Sequence, residues 1–332
     1  MATYKEIKGT QIEVLASDPS NPVEGQVWYN STSNVLKGQS VTAAGAWSTT
    51  GALNLPRESG GSSTSGLVTS SLYFGGDEPG GRTSNTESYN GTNWTETTNL
   101  NLPRRYLGGA GSSNTNALAF GGGGAPSPPG FRGETELWNG SNWTETTNLN
   151  TPRSEVMGCG ATNTAALCTG GETPPVSALT ESWNGSNWSE TGDLNQARNN
   201  GTLSGTFTSA VLSGGNGSPP GNVETFNGTN WSEATDLSTA RRDSGSSGVS
   251  NTSSLVFGGN VPPYTGKTEE WNGSSWTELA DLSGARAFVR GAGTSTSALA
   301  IGGQDSSGPG VAGATEKWAG AGAGLTRTFT DS

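Results

Sequence analysis

The chain of 332 residues contains no histidine. That absence excludes Ser-His-Asp triads, zinc hydrolases and facial-triad iron sites, all of which need imidazole. Cysteine is nearly as scarce, with only Cys159 and Cys168, placed symmetrically about Thr162-Asn163-Thr164. Such placement allows either cross-strand neighbours or two buried thiols in place of small core residues, and neither implies metal or redox chemistry. Positive charge is sparse: 17 Lys and Arg face 28 Asp and Glu, for a net charge of -11. Phosphate binding needs a basic stripe and none is present, so nucleic acid is excluded and partners are expected to be neutral or cationic. No apolar run approaches the ~20 residues of a membrane helix, so no membrane insertion is expected. Met1-Ala2-Thr3-Tyr4-Lys5 starts no signal-peptide core, which argues against Sec export. Only 30% of residues are hydrophobic, while 53 are glycine, so any core must be thin and repeated.

What the chain has is a register. Six times a Trp is followed ten residues later by an Arg: Trp47/Arg57, Trp94/Arg104, Trp143/Arg153, Trp188/Arg198, Trp231/Arg241 and Trp276/Arg286. Successive Trp residues lie 43 to 49 apart, a period that means a repeat architecture. Between the anchors come an apolar run closed by Gly-Gly, a variable Pro-rich stretch, and Glu-x-aromatic-Asn-Gly. The aromatics are Tyr89, Trp138, Trp183, Phe226, Trp271 and Trp318, each two residues after a Glu.

Runs such as Leu72-Tyr73-Phe74 and Leu255-Val256-Phe257 are too short for helices and are closed by glycine, which predicts buried strands. The Asn-Gly segments predict tight hairpins. Each unit then supplies four strands: a after the Arg, b ending at Gly-Gly, c with Glu-x-aromatic, and d with the Trp. Four antiparallel strands per unit of this length make a propeller blade.

At this point the chain resembles the kelch repeat over about residues 45 to 319. The resemblance implies an all-β, six-bladed propeller. Chain order then predicts its closure, because Trp47 sits in a lone d strand while the blade after Arg286 lacks one. The N-terminal strand should complete the last blade. Kelch copper oxidases depend on imidazole ligands that this chain lacks, and no Asp-box pattern of sialidase-type propellers is found. No catalytic residue, metal or cofactor is expected.

The six Arg residues read either as an anion-binding ring or as ion-pair partners of Glu87, Glu136, Glu181, Glu224, Glu269 and Glu316; the matching counts favour ion pairs. That places Arg153 near Glu181 or Glu136. The Asn-Gly-Ser/Thr triplets at Asn90, Asn139, Asn184, Asn227 and Asn272 match the glycosylation sequon, but turn formation accounts for them. What varies between units is the b-to-c loop, at Asp77 to Arg82, Ala125 to Arg132, Glu172 to Val176, Gly217 to Gly221, Val261 to Lys267 and Gln304 to Gly310. Rigid, divergent loops on one face form a recognition surface, with Phe131 and Tyr264 as stacking candidates beside Arg132 and Lys267. The opposing reading makes them solvated linkers.

Residues 1–44 fall outside the repeat and 45–332 form the propeller region. The segment reads as an extended Thr3 to Leu15 stretch, a turn at Asp18 to Pro22, and a hairpin of Gly25–Tyr29 with Asn34–Lys37. Exposed Trp28, Tyr29, Ile12 and Val14 would make it a docking or oligomerisation arm. Glu24-Gly25-Gln26-Val27-Trp28-Tyr29-Asn30-Ser31, followed by a Gly/Ser/Thr/Asn-rich array, resembles virion structural proteins of marine tailed phages. That resemblance implies a non-enzymatic fibre, appendage or decoration assembled in the host cytoplasm. Trp28 and Tyr29 would dock on other virion proteins, as a homo-oligomer or on an oligomeric particle protein, while the propeller recognises a host surface glycan or protein. The alternatives are a glycan-active enzyme using carboxylates and a cytoplasmic kelch adaptor. A carboxylate pair facing the channel would favour the enzyme; pairing of every c-strand Glu with Arg would weaken it.

Overall fold

The computed structural model describes residues 12–20, 26–41, 45–124, 130–217, 220–305, 312–321 and 324–329. The chain divides into two compact units, residues 47–318 and residues 1–46 together with 319–332. No helix occurs among the described residues.

In the larger unit each repeat becomes a four-stranded antiparallel sheet in the order a-b-c-d, and six such sheets follow one another. The second, for instance, runs Gly108–Ser113, Asn116–Phe120, Thr135–Trp138 and Trp143–Thr146. The sixth takes Arg290–Gly293, Ser297–Ile301 and Thr315–Ala319 from the end of the repeat array and Ala46–Thr50 from its beginning. Strand a of each sheet packs against strand a of the next, and Arg290–Gly293 packs back on Gly61–Ser62, so the series closes as a multi-bladed propeller. Closure is also a hydrogen-bond rule: the second Gly of each Gly-Gly donates to the carbonyl of the next blade's Arg, and Gly303 donates to Arg57 at 3.1 Å.

The Trp register follows from packing between blades. Each d-strand Trp lies against the c-strand aromatic of its own blade, as in Trp138 and Trp143 with ring centroids 5.3 Å apart. Where strand b of the preceding blade ends in Phe, the Trp also takes its ring edge-on: Phe74 with Trp143, Phe120 with Trp188, and Phe257 with Trp47, each at 4.9 Å. Opposite those three Phe residues strand a carries Gly61, Gly108 and Gly245. In the other three blades Met157 faces Thr169, Thr202 faces Ser213, and Arg290 faces Ile301. The three Phe rings require glycine opposite them, because a Cβ on any of those glycines would enter the ring.

All six c-strand Glu residues pair with the Arg of their own blade, among them Arg57–Glu87 at 2.9 Å, Arg104–Glu136 at 2.7 Å and Arg198–Glu224. Arg153 takes Glu181 at 2.9 Å, not Glu136. The second carboxylate oxygen accepts a main-chain N–H three residues before the Arg, from Asn54, Asn101, Asn150, Asn195, Ser238 and Ser283. Each d-to-a connection is thereby pinned to its own strand c. The Asn-Gly turns close as expected, with Gly140 at φ 96° and the Asn139 side chain accepting the N–H groups of Ser141 and Asn142.

The cysteines take the reading of two buried thiols, and the exposure expected of Trp28 differs from the structure. Cys159 stands opposite Leu167 and Cys168 opposite Gly158, so the thiols point to opposite faces of their sheet and remain free. Alternation explains this: a one-residue offset in register reverses the face. Burial pushes both thiols up, Cys168 to about 12. Trp28 is fully buried, its indole donating to Asp18 at 3.1 Å, while Ile12 and Val14 are exposed. The C-terminal tail supplies Gly324–Phe329, a Thr-containing strand paired with Val35–Val41 in the smaller unit.

In that unit Val27–Asn30 pairs with Val35–Val41 as the expected hairpin, and Glu13–Leu15 adds in parallel to Val27–Asn30. The Lys37 ammonium, aided by the Asn30 and Trp28 side chains, holds the Asp18 carboxyl down to about 2. Thr3 to Gln11 and parts of the turn at Asp18 to Pro22 lie outside the described residues, as do positions 125–129, 218–219 and 306–310 of the variable loops.

Candidate functional site

The d-to-a and b-to-c connections meet on one face of the larger unit. The residue after the Arg pairs with the segment following Gly-Gly in every blade except the fourth: Glu58 bridges Asp77, Arg105 pairs Gly123, Ser154 bridges Glu172, Arg242 bridges Asn260, and Ala287 pairs Gln304. In the fourth blade Asn216 instead donates its N–H to Asn199 at 2.8 Å.

One position further on, the chain does something unusual at the same place in all six repeats. Ser59, Tyr106, Glu155, Asn200, Asp243 and Phe288, each two residues after the Arg, adopt φ between 53° and 57°. Six non-glycine residues in the left-handed region each carry a local cost and persist because the surroundings over-determine them. For all of them but Glu155 the constraint includes main-chain hydrogen bonds between blades: Tyr106 to Ser59 at 2.7 Å, Asp243 to Asn200 at 2.8 Å, Phe288 to Asp243 at 2.7 Å, and Ser59 to Phe288 at 3.4 Å. Four of these residues, Tyr106, Glu155, Asn200 and Asp243, line a cavity that continues down the small-residue a strands. The frame is constant while the six side chains all differ.

The ring divides chemically. Tyr106 and Phe288 lie 6.3 Å apart on either side of the small Ser59, and Tyr264 stands edge-on to Phe288 at 6.5 Å, which makes one arc aromatic. The other arc holds Glu155, Asn200 and Asp243. Asn199 and Asn200 both donate to Glu155 Oε2, at 2.6 and 2.9 Å. Burial lifts Asp243 to about 7 in spite of Arg242 and Arg290, and burial also raises Glu58 and Glu155.

Of the residues singled out from the sequence, only Tyr264 reaches this mouth, with its hydroxyl donating to Gln304 at 2.6 Å. Phe131 is half-buried in a short hairpin with Gly123–Gly124, and Arg132 pairs with Glu134 at 3.1 Å. Lys267 reaches back to Glu278 on strand d at 3.0 Å. The structure does not bring these three to the cavity. Tyr29 is half-buried in the smaller unit, bonded to Asn34 at 3.3 Å. The six anchoring guanidinium groups are at most 4% exposed, so none is open to an anion. The ring at Arg plus two was legible in principle, since Ser, Tyr, Glu, Asn, Asp and Phe vary there inside a constant frame.

No protein-family model matches the sequence, and no curated protein sequence matches it. Among solved structures the chain is similar to that of the kelch-type protein YjhT, with a TM-score of 0.64 and 15% identity over 80% of this chain and 96% of that one. At this identity the likeness shows the propeller fold alone.

Proposed function

We propose that this chain is a non-enzymatic recognition propeller, a structural component of a phage particle that binds a host surface glycan at its channel mouth. The observation that carries the reading is the ring of six different side chains held in one backbone conformation on an otherwise repeated frame. A rigid scaffold presenting variable groups around a cavity is the usual architecture of a binding site. The repeated carboxylates support a non-enzymatic role, because all six c-strand Glu residues are committed to Arg and main-chain partners. Aromatic faces opposite amide and carboxyl groups suit a sugar ring. The particle assignment rests on the resemblance of residues 24–31 and the repeat composition, with the smaller β unit as the attachment element.

Glycan-array and host-cell binding by the full chain, beside a Tyr106→Ala/Phe288→Ala variant, tests the recognition. Binding lost in a variant that melts like the parent supports it; undiminished binding moves recognition off the mouth and overturns it. Antibody against the chain should label particles, and unlabelled particles would remove the virion role.

One observation favours a second reading. Glu155 and Asp243 line the cavity with carboxyls raised by burial, which suits acid–base chemistry on a bound sugar. Product formed from a bound glycan by the parent protein but not by Asp243→Asn would replace the non-enzymatic reading.

A further inference from the structure

The smaller unit is one four-stranded sheet whose two faces differ. On one face Trp28, Asn30 and Lys37 all donate to the Asp18 carboxylate, at 3.1, 2.8 and 2.7 Å, so the turn carrying Asp18 covers them. Alternation along each strand assigns the other face. There Val14 pairs with Tyr29, Tyr29 with Leu36, and Leu36 with Phe329. Residues opposite one another in a ladder point the same way, so each of the four strands contributes one apolar side chain to a single row. The Phe329 ring agrees with this register, because a Cβ added to Gly38 would lie 2.9 Å from it. Gly38 stands two residues from Leu36, on the same side of the sheet.

This row faces outward. Val14 is 68% exposed and Phe329 41%, while Tyr29 and Leu36 are half-buried. A sheet with an apolar face is stable when a second layer covers that face, and a contiguous exposed apolar patch marks an interaction surface.

The order of the row says which layer fits. Read across the sheet it runs aliphatic, aromatic, aliphatic, aromatic. A two-fold axis between two such sheets, parallel to the strands and midway between Tyr29 and Leu36, reverses that order. Val14 then meets Phe329 of the second copy and Tyr29 meets its Leu36, so every ring packs on an aliphatic chain. The patch is its own complement, as an isologous contact requires. Two sheets of this width, packed about 10 Å apart, bury on the order of 1,000 Å² in total, the low end for a specific interface. That area suits a weak dimer.

We infer that the row Val14, Tyr29, Leu36 and Phe329 docks a second copy of this chain as a two-fold dimer. The inference is independent of what the channel mouth binds.

Sedimentation equilibrium of the full chain from about 5 to 500 μM tests it, with a monomer–dimer equilibrium expected inside that range. Val14→Lys and Phe329→Glu, both at exposed positions, should each weaken association about tenfold or more. An equimolar mixture of the two variants should associate far more tightly than either alone. Only the mixed pair sets the new lysine against the new glutamate while keeping one Val14–Phe329 contact intact. Melting temperatures like the parent's show that a contact was changed and not the fold. A chain that stays monomeric throughout overturns the inference, as does a dimer indifferent to both variants. Loss of association without recovery on mixing overturns the two-fold pairing. Binding of the monomeric chain to purified particles through this face would give the row to a particle protein and overturn the second copy. Glycan binding is read separately, so none of these outcomes bears on the mouth.

Discussion

The Trp276 indole donates to the main-chain carbonyl of Thr235 at 2.9 Å, although the equivalent Trp in each of the other five blades reaches a threonine hydroxyl of the preceding blade. Those hydroxyls belong to Thr268, Thr315, Thr86, Thr135 and Thr180, the first residue of strand c. In the blade before Trp276 that position is Val223, which has no hydroxyl to offer. The indole has turned to the backbone, and Trp276 is half-buried.

Val223→Thr should therefore bring Trp276 back into the common pattern. A neutral hydrogen bond contributes about 1 kcal/mol, which for a unit of this size raises Tm by about 2 °C. Calorimetry on the variant checks this; a lower Tm would mean that the buried hydroxyl stays unpaired.

Breaking one buried ion pair should be far more damaging. Arg198→Met or Glu224→Gln leaves a polar partner without its counterpart at 0–1% exposure, a loss of about 3–5 kcal/mol. The double replacement Arg198→Met/Glu224→Gln should cost well below the sum of the two single changes, since the contact between the two side chains is lost only once. Additive losses in urea unfolding would show that the two side chains act independently.

Stability should also respond to pH through Asp243. Its carboxyl is lifted by burial to about 7, against about 3.9 in an unfolded chain. Between those values the native state holds a proton that the unfolded chain has released, so stability falls as pH rises from about 4 to about 7 and stays lower above. Asp243→Asn cannot ionise, so its melting curve should match the parent below pH ~4 and exceed it above pH ~7. Equal melting temperatures at pH ~8 would falsify the assignment. Glu58 and Glu155 shift in the same direction and should leave the variant some residual slope.

Two glycine substitutions should part company. A Cβ on Gly108 meets the Phe120 ring, whereas on Gly291 it meets the Ser246 backbone. Each Ala variant should lose about 1–3 kcal/mol or more, but Phe120→Leu should restore part of the Gly108→Ala loss. Trimming Phe257 should do little for Gly291→Ala, because the Ser246 main chain remains in place. Melting temperatures of the four variants decide it.

The repeat, its four strands and its closure were legible in the residues alone. Those features rest on local chemistry: alternation of apolar residues, Gly-Gly after strand b, Asn-Gly between Trp138 and Trp143, and a lone d strand at Trp47. Pairing of Arg with Glu was also legible, since equal counts at fixed spacing leave few other arrangements. Which variable positions converge was settled by packing in three dimensions. Phe131 and Lys267 vary as freely as Phe288 and Glu155, yet they stand apart from the cavity. The difference lies in the left-handed turn two residues after each Arg, which is held by hydrogen bonds from the neighbouring blade. Contacts between residues some 45 positions apart in the chain put Ser59, Tyr106, Glu155, Asn200, Asp243 and Phe288 into one ring, and no local signal encodes that distance.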